Sequence, residues 1–194
     1  MMSKREFASP VVDLGMVVRD LETSIEFYTE AIGFVEVMGF DVPAELAGDT
    51  GLTDYKPLEI SMLKLDIDAS VPTTDLKLMH VPDVEVADLD REYVHSSYGI
   101  NYVSLFVSDI DSALARLERA GVKPQGLGAV VMPIEIALGV MLRPETMGVF
   151  DDGLDEMPEE VLMIVVKDPD GNFIELLGPR KNDPGKSSVS DKVM

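Results

Sequence analysis

A strand leading into an aspartate-capped helix occurs twice in this chain, with Asp20 and Asp109 as the caps and a constant offset of 89 residues. Val12–Ile25 lies over Asn101–Leu114 in that register, so Asp13 meets Tyr102, Val18 meets Val107 and Leu21 meets Ile110. An aspartate at the N-cap accepts from backbone N–H groups of the first turn. Behind each cap the apolar residues fall on one helical stripe: Leu21, Ile25, Tyr28 and Ile32 in the first copy, Ile110, Leu114 and Leu117 in the second. The stripes stop at Gly33 and Gly121, where helices commonly end. A repeat of this kind constrains the fold more than any single motif. It means two copies of one supersecondary unit, each needing the other to close a core.

The strands complete the unit. After the first helix, Phe34–Phe40, Leu58–Leu65 and Asp75–Val81 read as strands, which makes the first half β-α-β-β-β. In the second half Gly126–Met132 and the apolar runs Val161–Val166 and Phe173–Leu177 supply the same three. Between the last two lies Asp168-Pro169-Asp170-Gly171-Asn172. Pro169 presets a turn φ, Gly171 accepts a positive φ, and the aspartates can cap free N–H groups. A hairpin with near-continuous apolar strands is predicted here. Glu175 interrupts its second strand, on the same face as Phe173 and Leu177. Its carboxylate therefore points into a core or cavity, where it is costly unless a cation, a metal or several donors meet it.

Three segments fall outside the repeat: an insertion at 41–57, a linker at 82–99 and a lid at 134–160. The modules are then 11–81 and 100–179, with an N-terminal arm at 1–10 and a polar tail at 180–194 expected to be disordered. Met141, Met147 and Met157 in the lid suit either irregular packing or a permissive ligand wall, and plain packing is expected for most of them.

Composition excludes several functions. With 16 Lys and Arg against 36 Asp and Glu, the net charge is −20, which argues against nucleic acid and anionic membranes as partners. No apolar run reaches the length of a membrane span, and no apolar signal region follows the first charges, so a cytoplasmic protein is expected. The absence of cysteine excludes thiolate chemistry, and two histidines, His80 and His95, leave no His-rich metal site. His80 falls on the strand face opposite Lys77, and His95 falls in the linker. Neither is expected to be a ligand.

The stretch Asp13-Leu14-Gly15-Met16-Val17-Val18-Arg19-Asp20-Leu21-Glu22 running to Phe27-Tyr28, then Gly33-Phe34, Tyr102–Asp111 and Asp168–Leu176, resembles the vicinal oxygen chelate superfamily. That superfamily groups glyoxalase I, methylmalonyl-CoA epimerase, extradiol dioxygenases and bleomycin-resistance proteins. The resemblance implies an α+β fold of two βαβββ modules, whose strands form a curled, cup-shaped mixed sheet with the helices outside. It also implies homodimerisation. In the metal enzymes of the superfamily, four inward side chains hold a divalent ion, and these positions carry over to Asp13, Lys77, Tyr102 and Glu175. Glu175 fits the usual acidic ligand, whereas His or Gln is usual at positions 13 and 102 and Glu is frequent at 77.

A protonated lysine has no lone pair to give a metal, and a neutral phenol is a poor ligand. The expectation is therefore a metal-free network in which Lys77 bridges Asp13 and Glu175 and the Tyr102 hydroxyl completes it. Asp13 and Glu175 are the ligands if a divalent ion binds after all. With no other cofactor implied, a small organic molecule is expected against Asp13, Lys77, Tyr102, Ser104, Phe106, Phe173 and Glu175. The rival expectation is a metal-dependent lyase, isomerase or dioxygenase with an altered site, with Glu175, Lys77 and Tyr102 catalytic. A third is a structural dimer with a degenerate site.

Overall fold

The computed structural model describes residues 12–65, 73–85, 87, 91–133, 136 and 160–180. The expected arm at 1–10, nearly all of the expected lid, and the tail beyond Arg180 lie outside the described residues. The chain divides into two compact units: Met1–Ser97 together with the turn Asp168–Gly171, and Tyr98–Lys167 together with Asn172–Met194. Each contains one four-stranded mixed sheet, and neither sheet closes into a barrel.

In the first unit the order is β1 (Leu14–Val17), α1 (Leu21–Glu26), β2 (Phe34–Val42), α2 (Ala44–Asp49), β3 (Leu58–Leu65) and β4 (Leu76–His80). Asp20 caps α1, its carboxylate accepting the Thr23 N–H at 2.7 Å, and this backbone donor holds the Asp20 pKa below its usual value. A wider π-helical turn, Phe27–Ile32, continues α1 and closes when the Gly33 N–H donates to Tyr28 O at 3.0 Å. The sheet runs β1-β4-β3-β2, parallel between β1 and β4 and antiparallel elsewhere. Strand alternation then sorts its side chains. Met16, Leu78, Ser61 and Leu63 share the face that is fully covered, while Lys77, Met79, Ile60 and Met62 share the other.

In the second unit the order is β5 (Tyr102–Phe106), α3 (Ile110–Arg119), β6 (Val130–Val131), β7 (Val161–Lys167) and β8 (Phe173–Pro179). Its sheet order, β5-β8-β7-β6, repeats that of the first unit with the same parallel and antiparallel pairings. Ile110 and Leu117 of α3 are buried, with Ala113 between them and Leu114 half-buried at the edge of the stripe. Ile164, Val166, Ile174 and Leu176 are 0% exposed. At about 1.5–3 kcal/mol per buried aliphatic side chain, the central hairpin is a main source of this unit's stability. Gly178 is required on β8, because any Cβ there would collide with the Val107 carbonyl, whose own N–H donates to Leu177 O at 2.8 Å.

The β-α-β-β-β order of both halves is as the sequence predicts, with two corrections. β2 runs past the predicted Phe40 to Val42, and within the 41–57 insertion α2 follows from its cap Pro43. Ala47 of α2 is 0% exposed and packs with Leu58 and Ile60, against which Val42, Met62, Met79 and Val81 also lie. The predicted strand at Gly126–Met132 contracts to Val130–Val131, because Gly126 and Gly128 both adopt positive φ.

Candidate functional site

The β7–β8 hairpin positions Glu175 at the middle of the second unit's sheet. Its turn closes through Gly171 N–H to Asp168 O at 3.0 Å, with Gly171 at φ 84°, a left-handed value that favours glycine. The β5–β8 register places Ser104 beside Glu175, Tyr102 beside Phe173 and Phe106 beside Leu177. All six therefore share one face. Tyr102 is 40% exposed and Ser104 is also exposed, so this face is open at β5, whereas Glu175 itself is 7% exposed.

The Ser104 hydroxyl donates to Glu175 Oε2 at 2.6 Å, a short bond of the charge-assisted kind. Burial, and then the hydrogen bond and negative charge of Glu175, push the Tyr102 phenol well above its usual pKa. The phenol is thereby kept as a proton donor. At the edge of the same face the Lys167 ammonium lies 4.9 Å from the centre of the Phe173 ring, a cation–π distance.

Asp13 and Lys77 come together in the first unit. Lys77 Nζ is 2.7 Å from Asp13 Oδ2, and the two side chains are 31% and 38% exposed. An ion pair in contact with water to that extent is worth about 1 kcal/mol or less. Its importance is therefore the placement of charge rather than stability. Lys77 stands on the face of Met62, Met79 and Ile60, against which α2 packs, so the insertion covers part of the surface beside this pair. The two histidines are engaged elsewhere: His80 Nδ1 is 3.3 Å from Val18 O, and the His95 ring stacks on Tyr93 with centroids 5.5 Å apart.

A further polar cluster was not legible in the sequence. Tyr28, 1% exposed, donates its hydroxyl to Asp168 Oδ2 at 2.8 Å, while Asp168 Oδ1 accepts the Asp170 N–H at 3.0 Å. Burial and the Asp168 charge push the Tyr28 phenol far above its ordinary pKa. Asp170 Oδ1 takes the Arg19 N–H and the Arg19 Nε, both at 3.3 Å, yet burial still raises the Asp170 pKa. These contacts anchor the turn within the first unit. The Asp168-Pro169-Asp170-Gly171 motif predicts the turn, but its partner is a helical-stripe tyrosine 140 residues earlier, with no local signal.

The donor set does not fit a divalent ion of the kind the resemblance implies. Among the described residues, no group of three His, Cys, Asp or Glu side chains could hold a metal. Asp13 is committed to an ammonium that has no lone pair, and Tyr102 is held in the neutral phenol form.

Residues 11–176 match the family model described as Glyoxalase/Bleomycin resistance protein/Dioxygenase superfamily. Among solved structures, a glyoxalase family protein from Bacillus cereus is similar at 20% identity and a TM-score of 0.61, covering 92% of this chain and 100% of its own. The trypanothione-dependent glyoxalase I of Leishmania major is similar at 22% identity and a TM-score of 0.51, covering 88% and 87%. A glyoxylase/bleomycin resistance protein/dioxygenase domain from Frankia sp. EAN1pec gives 16% identity and a TM-score of 0.51, covering 90% and 100%. At these identities the likeness establishes the fold alone. No protein of curated function matches the sequence.

Proposed function

The chain belongs to the Glyoxalase/Bleomycin resistance protein/Dioxygenase superfamily, and on that premise we propose that it binds a small organic molecule without the divalent ion of the superfamily's metal enzymes. The Lys77–Asp13 ion pair carries this reading, because it puts a fixed cation at a position from which those enzymes ligate their metal. In this reading the second unit offers a ligand Tyr102, Ser104 and Glu175 as polar groups, and the first unit offers Asp13 and Lys77. Phe106 and Phe173 supply apolar wall. Few polar groups set among apolar side chains is the usual make-up of a ligand site.

One observation favours a catalytic alternative. Glu175 is buried beside two hydroxyls, an arrangement suited to moving a proton α to a carbonyl while Tyr102 donates to the developing enolate oxygen. The two readings separate by experiment. Native mass spectrometry of protein purified without chelator should find an organic adduct whose retention falls in Lys77→Met. Solvent-deuterium exchange into dicarbonyl and acyl-thioester compounds tests the alternative: exchange above the Glu175→Gln background would establish catalysis and overturn the pure binding role.

A cytoplasmic homodimer completes the proposal. No helix among the described residues is long and apolar enough to cross a membrane. For the dimer, support comes from the edge strand β2, where Val35, Val37 and Met38 are 45–51% exposed. Sedimentation velocity should return twice the chain mass.

A further inference from the structure

The Glu175 carboxylate is 7% exposed, and the partners found for it are neutral hydroxyls. Ser104 and Tyr102 orient the carboxylate and lower its burial cost, but neither carries a positive charge. Among the described residues, no ammonium or guanidinium forms an ion pair with it. Lys77 is already matched by Asp13 at 2.7 Å.

We propose that the Glu175 face of the second unit receives a cationic amine carried on a short aromatic or apolar body. This deepens the binding role proposed above and rests on it. Three features of the face fit such a ligand. A charge-assisted bond from an ammonium to Glu175 supplies a counter-charge, with Ser104 and Tyr102 holding the carboxylate in place. Phe173 neighbours Tyr102 in the register, and both sit one pleat from the Ser104–Glu175 pair, about 7 Å along the strands. A two-carbon spacer between amine and ring bridges most of that gap. The Phe173 ring, itself 6% exposed, draws the Lys167 ammonium to 4.9 Å, a cation–π contact at the edge of this face. An anionic ligand head is disfavoured here, because the buried carboxylate would repel it. The net charge of −20 raises the local concentration of any cation without selecting among them.

The test is isothermal titration with phenethylamine, 2-phenylethanol and phenylacetate, three probes of one shape and three charges, at physiological ionic strength. Phenethylamine is expected to bind at least about ten-fold more tightly than the alcohol, the value of one modest charge-assisted contact. That advantage, read as the ratio of amine to alcohol affinity, should vanish in Glu175→Gln. It should persist in Glu22→Gln, which removes one exposed charge of α1. Equal binding of amine and alcohol, preference for phenylacetate, or an amine preference surviving Glu175→Gln would each overturn the inference while leaving a binding protein. Loss of the amine advantage on adding EDTA would overturn it in favour of a metal ion. Binding of none of the three probes would overturn both the inference and the binding role.

Discussion

Replacing Tyr28 by Phe isolates one buried hydrogen bond. The ring packs edge-on to Phe27 and Phe34, with centroids 5.2 and 5.9 Å away, and a phenylalanine keeps both contacts. What is lost is the hydroxyl donor to Asp168 Oδ2 at 2.8 Å. Asp168 is 5% exposed, so water does not readily replace that donor, although the Asp170 N–H remains on the other oxygen. A hydrogen bond to a charged group contributes about 1.5–3 kcal/mol, and Tyr28→Phe should cost about 2 kcal/mol. With a urea m-value of about 2 kcal/mol/M, the midpoint should fall by about 1 M at unchanged slope. Tyr28→Phe in an Asp168→Asn background should cost less, the difference being the coupling of the pair. A midpoint shift below about 0.25 M would show that the pair holds nothing together, and the account of the anchored turn would fail.

The remaining predictions concern single contacts. Asp170→Ser keeps an acceptor for the Arg19 N–H and should match or exceed the wild type in stability at neutral pH. Because burial raises the Asp170 pKa, the folded state holds the proton more tightly than the unfolded chain. The wild type should therefore regain ground as pH falls through the raised value to the ordinary one of about 3.9, and urea titrations showing the opposite trend would refute the sign. Gly178→Ala should cost about 3 kcal/mol, read as a lower melting temperature, because its Cβ meets the Val107 main chain rather than a movable side chain. Asp109 accepts the Asp111 N–H at 3.2 Å and the Ser112 hydroxyl, so Asp109→Ala should cost about 1 kcal/mol in urea unfolding.

What the sequence discloses is what depends on local chemistry. The aspartate caps, the helical stripes and the alternation of buried strands each need only a few neighbouring residues, and together they give the duplicated β-α-β-β-β order. Glu175 is legible as a site residue because a carboxylate between Phe173 and Leu177 has no inexpensive explanation. Less is disclosed where the partner is remote or the element short. Tyr28 behaves as an apolar stripe residue along its helix, and only the fold brings Asp168 to its hydroxyl. α2 is six residues long, too short for a periodic signal, and Pro43 and Gly48 mask it as loop. Ser104 is legible in the sequence as a ligand residue, but its bond to Glu175 depends on the β5–β8 register, which sets the two side by side. Local patterning does not determine pairing between strands so distant in the chain.

We propose that the Lys77–Asp13 pair takes the place of the ion held by the superfamily's metal enzymes. Metal content measured by inductively coupled plasma mass spectrometry, on protein purified without chelator, tests this most directly. Transition metal is expected far below one ion per chain, with ligand binding undiminished after exhaustive chelation. One tightly held ion per chain, lost together with activity or binding on chelation, would contradict it.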